Sequence, residues 1–306
     1  MWGGAAYKTL AILAGLLQPF FGCIRYNVGL IHTSLAHRGF DMDISRRLIA
    51  YSTANGWSST PHVSYTYEPD VTGLMEVYES MREGFMTEHG HRLTVNTLML
   101  KVLAEGIKVA PRMNASIDMP RDIDPANYDG TLTLHDSVDV AAPWHLPDGA
   151  TLSLIMRDCG NKTLAELAAT ATALQQRAEA TDFGSFYPRL ITTALGGDAS
   201  FSEGELQPGD LLDGTITVSN IGSISQAPGH FELLVVIAPQ TTAIGLSAIR
   251  RQPRVCVVNG EEKILPRSIM PICISFDHRA MGFYDVVPFL NRLEEIFAAP
   301  EVIRSW

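Results

Sequence analysis

Apolar residues in this chain recur at two different periods, and the alternation between them predicts the element order. Val63, Tyr65 and Tyr67 alternate with Ser64 and Thr66, the period of two of a half-buried strand. Leu74, Val77, Tyr78 and Met81 then follow at helical spacing, as do Leu98, Val102 and the Glu105–Ile107 segment. Asn161 is placed to cap a long helix over 162–180, and Asp285 to cap a last one whose Val286, Phe289, Leu290, Leu293 and Phe297 share a face. Asn259-Gly260, between the apolar run Val255–Val258 and the segment Lys263–Leu265, predicts a tight hairpin, because both residues tolerate positive φ. The apolar run from Ile269 to Phe276 predicts one strand, with His278 just beyond its end. These elements make an α/β domain with a mixed sheet and helices on one side.

The stretch Leu10–Ile24 fits neither period. It is apolar nearly throughout, interrupted at Gln18 and Pro19 and closed by Arg25, so it is shorter than the roughly 20 residues of a spanning helix. A helix packed on its own chain or on a sister subunit is the favoured reading. A membrane contact by residues 10–24, or a greasy lid over the substrate, stays open beside it.

Composition narrows the partners. A chain of 306 residues, 46% hydrophobic and 18% charged, can bury a substantial core, and no linker divides it. The net charge of -10 argues against nucleic acid and anionic membrane surfaces as general partners. Cys23, Cys159, Cys256 and Cys273 are sparse and lack CxxC spacing, the usage of reduced thiols in a cytoplasmic protein, and no metal site is implied.

Two segments carry chemistry. Ser275-Phe276-Asp277-His278-Arg279-Ala280-Met281-Gly282 is similar to the SFDHRxxDG signature of the catalytic domain of dihydrolipoamide acyltransferases, and more distantly to the HxxxDG of chloramphenicol acetyltransferase. Gly214-Thr215-Ile216-Thr217-Val218-Ser219-Asn220-Ile221-Gly222, after Leu206–Leu211, resembles that family's GgTFTISNLG. Thr60–Val63, Asp70–Thr72, Lys101, Asn114 and Pro147–Gly149 keep the register between about Ser45 and Pro300. The resemblance implies a chloramphenicol-acetyltransferase-like two-layer fold over 45–306, behind an apolar extension at 1–44. It also marks an insertion at about 183–203, whose Phe183, Phe186, Tyr187 and Leu190 either pack on the scaffold or shape a pocket.

Acyl transfer from a thioester needs a base for the acceptor's proton and a donor for the oxyanion. A lone histidine near a strand is more often a core residue, and a strand serine is usually only that; their joint occurrence in two matching motifs makes His278 the base and Ser219 the donor. The resemblance further implies a homotrimer in which the two residues come from neighbouring subunits. Asn220, Arg250 and Arg251 are the positions where coenzyme A contacts are expected, although a strand-end cap and a solvated strand exit explain them as well. Arg279 is expected to hold structure. One departure is plain: Gly282 stands where the family has Asp, and Asp285, three residues on, either approaches the site or caps the helix.

No segment ahead of residue 45 reads as a lipoyl domain, so no lipoyl attachment is expected in this chain. The expected activity is therefore acetyl-CoA-dependent O-acetylation of a small hydroxylated metabolite, as in free-standing acetyltransferases of tetronate natural-product pathways. Two alternatives stand beside it: an acyltransferase subunit of a 2-oxoacid dehydrogenase complex that accepts lipoyl groups in trans, and a catalytically silent interaction protein.

Overall fold

The computed structural model describes residues 44–119, 129–145 and 151–306. The apolar segment 10–24 lies outside the described residues. Helix α1 (Ile44–Ser59) leads into strand β1 (His62–Tyr67), followed by α2 (Thr72–His89), α3 (Val95–Ile107) and a small antiparallel pair, β2 (Ala115–Asp118) and β3 (Thr131–Leu134). Then come β4 (Val140–His145), β5 (Thr151–Met156), α4 (Leu164–Ala180), α5 (Phe183–Ala194), β6 (Ile216–Asn220) and β7 (Thr242–Leu246). The hairpin β8 (Arg250–Val258) and β9 (Glu261–Ile269), strand β10 (Ile272–Asp277) and helix α6 (Phe283–Ala298) complete the order.

The main sheet runs β1-β10-β7-β6-β4-β5. It is mixed, with β6 parallel to both β4 and β7 and every other pairing antiparallel. Alternation splits its residues between two faces. Val218, Ile244, Ile272, Ile274 and Phe276 join the large core with Leu74, Leu98, Leu103, Phe289 and Leu293 from the helices. Ala243 and Cys273 face the other way, under Phe231, Leu234 and Val236. Gly245 is needed on that second face, because a Cβ there would come within 2.6 Å of Phe231 and 2.7 Å of Leu234.

Four local expectations change in the structure. The apolar run Ile269–Phe276 belongs to two strands, since β9 ends at Ile269 and β10 begins at Ile272 in a different sheet, with Pro271, which has no N–H for a ladder, at the break. The period of two in β1 fails at Tyr65: Val63 and Tyr67 pack on the core, whereas Tyr65, on this edge strand, is 42% exposed and meets Phe283 edge to face at 5.0 Å. Asn161 does not cap α4; its amide donates to Asp158 (2.8 Å), and Thr163 caps instead, paired reciprocally with Glu166. Asp285 is not the cap residue of α6 either. Gly282 holds that position, and Asp285 sits in the first turn and accepts the Gly282 N–H at 2.9 Å.

Asn259 (φ 55°) and Gly260 (φ 81°) do form the hairpin turn, joining longer strands than expected. In that hairpin charge turns inward, with Arg254 on Glu68 and Arg267 on Asp70, while Val255, Val257 and Ile264 are 64, 72 and 74% exposed. Helix α5, in the segment expected to be an insertion, sends Phe186, Tyr187 and Leu190 into the main core, and Arg189 clasps Glu205 through two bonds of 2.6 and 2.8 Å. Phe186 and Tyr187 thus pack on the scaffold, the first of the two roles left open by the sequence.

Candidate active site

His278 lies one residue beyond β10, where the chain leaves the sheet. Its N–H donates to the Pro61 carbonyl (3.0 Å), its ring stands edge to face with Phe276 at 6.0 Å, and the residue is exposed. Nδ1 is 3.1 Å from the Met281 carbonyl oxygen. A carbonyl can only accept, so the proton sits on Nδ1 and the Nε2 lone pair is left for a substrate. The turn that makes this contact is short and well held. Ala280 and Met281 donate back to the Asp277 carbonyl, and buried Asp277 takes Arg279 through its main-chain N–H (2.9 Å), Nε (3.0 Å) and terminal nitrogen (2.6 Å). Arg279 therefore holds structure, as its motif position suggested.

Arg112 was not foreseen from the sequence. It donates to the Ala280 carbonyl (3.0 Å) and lies 3.5 Å from the Asp285 carboxylate. Nothing in the hydrophobic pattern marks it; the available signal was its place two residues before Asn114, in a turn already matched to the family. His62, across from Asp277 in β1, accepts the Val236 N–H at Nε2 (3.0 Å), and burial pushes its pKa below the ordinary value.

Ser219 is partly buried near the C-terminal end of β6, and its hydroxyl has no hydrogen-bond partner among the described residues. The sheet register separates it from His278. Ser219 lies beside Gly245, Gly245 beside Cys273, and His278 follows five residues after Cys273. Five residues along a strand and two strand spacings across put the two Cα atoms about 19 Å apart in one chain. Ser219 and His278 therefore sit at opposite ends of the sheet.

The positions expected to touch coenzyme A divide. Asn220 caps the turn after β6 by accepting the Ser223 N–H (3.2 Å), and its amide donates to Asn96 (3.1 Å). Arg250 lies 3.8 Å from Glu68, with a buried Nε that lacks a partner among the described residues. Arg251, on the outer face of the hairpin, is exposed. Among the described residues no group of three His, Cys, Asp or Glu is placed to hold a metal ion, and no helix is long and apolar enough to cross a membrane.

A mixed six-stranded sheet with helices packed on it, His278 at one strand end and Ser219 at the other, makes a two-layer α/β fold. The model of the 2-oxoacid dehydrogenases acyltransferase (catalytic domain) family matches residues 36–185 and 198–304, and the chain belongs to that family. The unmatched gap falls inside the expected insertion. The chain is 28% identical over 269 residues to the dihydrolipoyllysine-residue acetyltransferase component of the pyruvate dehydrogenase complex of Mycobacterium tuberculosis, covering 85% of this chain and 42% of that protein. It is 24% identical over 258 residues to the succinyltransferase component of the 2-oxoglutarate dehydrogenase complex of Haemophilus influenzae, covering 83% and 52%. The chain thus spans about half or less of the length of these relatives. Among solved structures, the dihydrolipoamide acetyltransferase of Azotobacter vinelandii superposes with a TM-score of 0.63 at 23% identity, over 90% of this chain and 99% of that one.

Proposed function

We propose that this protein transfers an acyl group between coenzyme A and a dihydrolipoyl thiol, with His278 of one copy and Ser219 of a neighbouring copy in a homotrimer forming each site. The observation that carries this reading is the sheet register. The two groups that the chemistry needs stand about 19 Å apart within a chain, while both must act within hydrogen-bond reach of one carbonyl, so a second copy has to supply one of them. His278 Nε2, freed by the Nδ1 contact with Met281, takes the acceptor's proton as its sulfur attacks the thioester carbonyl. Ser219 donates to the oxyanion that forms. Collapse expels the coenzyme A thiolate, which recovers the proton from the imidazolium. Coenzyme A binding draws on the exposed Arg251; Asn220 and Arg250 have first to leave partners they already hold.

The dihydrolipoyl acceptor is preferred to the hydroxylated metabolite expected from the sequence, because the matched relatives are named for transfer to a dihydrolipoyllysine residue. In the Azotobacter vinelandii enzyme a serine, a histidine and an asparagine have roles in the catalytic mechanism. Ser219 and His278 supply the first two types here. The test is a panel of acetyl-CoA and succinyl-CoA with dihydrolipoamide or primary alcohols, followed by chromatography of free coenzyme A. Transfer to dihydrolipoamide that falls by roughly a hundred- to ten-thousand-fold in His278→Ala supports the reading. Transfer confined to alcohols restores the metabolite acceptor, and no transfer to either removes the assignment.

A further inference from the structure

We infer that Asp285, held by Arg112, is a positioning residue for His278 and supplies from three residues away the carboxylate that the motif lacks at Gly282; this rests on the reading of His278 as the base. The connection runs through one peptide group. The Met281 carbonyl that accepts the His278 Nδ1 proton (3.1 Å) and the Gly282 N–H that donates to Asp285 (2.9 Å) belong to the same amide. That amide is planar, so a carboxylate fixing its N–H end also fixes the direction of its C=O end. A negative charge on the N–H side also polarises the amide and makes its oxygen a better acceptor for the imidazole N–H. Asp285 thus acts on the ring across four bonded atoms, H–N–C=O, without touching it.

Arg112 closes the arrangement on the other side. Its guanidinium bridges the Ala280 carbonyl (3.0 Å) and the Asp285 carboxylate (3.5 Å), and so spans the Met281 peptide from the residue before to the helix after. Its own carbonyl accepts the Thr241 hydroxyl (2.8 Å), and the Thr241 carbonyl accepts the Asp277 N–H (2.9 Å), which ties the clamp to the strand end that carries His278. Gly282 has φ −104° and ψ 175°, ordinary extended backbone, and a Cβ there would have no atom within 4 Å. Glycine is therefore not required by space or by conformation. Asp285, with Arg112, holds the same peptide from the helix side.

Asp285→Asn is the test, since the amide oxygen can still accept the Gly282 N–H and cap the helix while the charge is lost. The other charged groups around the ring, Asp277 with Arg279, His62 and Arg112, are unchanged in that variant. Expected are a fall in kcat on the order of tenfold with KM for acetyl-CoA little changed, and loss of the single Nδ1–H tautomer of His278 by nitrogen-15 NMR. Asp285→Glu restores both, because a first-turn glutamate reaches the same N–H. An unchanged kcat in Asp285→Asn overturns the inference, and so does a fall in kcat with the His278 tautomer as in wild type. The NMR arm stands apart from turnover: a wild type that transfers no acyl group refutes the proposed function, yet the His278 signals still report whether Asp285 sets the ring.

Discussion

Subunit mixing tests the divided site most directly. On the proposed reading, Ser219→Ala removes an oxyanion donor, a loss of about 3 kcal/mol or roughly two orders of magnitude in rate, and His278→Ala removes the base at a comparable or larger cost. Each pure variant therefore works at about one hundredth of wild type or less. In a cyclic assembly formed from equal amounts of the two, each site takes its histidine from one copy and its serine from the next. Random assembly makes about one site in four intact in the unsorted mixture and about one in three in the purified mixed trimers, so those hybrids recover about a third of wild-type activity, some 30-fold above either parent. A site within one chain gives the opposite result, since every copy lacks one of the two groups whatever its neighbours are. The assay is co-expression under two affinity tags, tandem purification of hybrids, native mass spectrometry to verify mixed trimers, and turnover with acetyl-CoA. Verified hybrids that stay at the parental rate would refute the register argument, because strand pairing that separates Ser219 from His278 leaves no alternative to a neighbour.

Further outcomes follow from single contacts. Gly282→Asp is expected to raise stability by a few tenths of a kcal/mol, since Asp is the better helix cap and its side chain has room, without raising turnover; a several-fold gain in rate would show that the site lacks a carboxylate. Glu205, drawn down to about 2 first by its bonds to Arg189 and then by the Ser202 N–H, contributes stability that is present above the ordinary glutamate pKa and is lost as pH falls from there towards 2. Acid melts of Glu205→Gln should show a flatter pH dependence over that interval, and an unchanged slope would remove the clasp from the account. His62, whose pKa burial lowers, stabilises the fold above its ordinary value and loses this as pH falls through the depressed one, because a protonated Nε2 cannot accept the Val236 N–H. His62→Ala leaves that N–H unpaired and is expected to cost about 1–3 kcal/mol in denaturant melts at neutral pH.

Elements with a strong local signal were legible in the sequence. The Asn259-Gly260 turn dictates its own φ values, and the one-sided apolar stripe of α6 fixes which face meets the core. Boundaries were less so, because capping is decided by which side chain reaches which free N–H. At the start of α4, Thr163 has Glu166 as a reciprocal partner and Asn161 does not. At the start of α6, the residue that accepts the free N–H lies inside the helix rather than ahead of it. The run Ile269–Phe276 misled because composition alone does not say that Pro271 separates two sheets.

The site divides along the same line. His278 and Ser219 stand in motifs, and both could be named before any fold was known. Their separation could not, since it depends on β7 lying between β6 and β10, a neighbour relation that no local pattern contains. Arg112 was missed for the same reason: its hold on the turn that carries His278 comes from a contact between residues 168 positions apart. A motif that lacks its acidic residue reads as damaged when only the spelling is considered. In the folded chain a carboxylate is present at that peptide and paired with an arginine, so the glycine at 282 marks a change in how the turn is held, not the loss of what holds it.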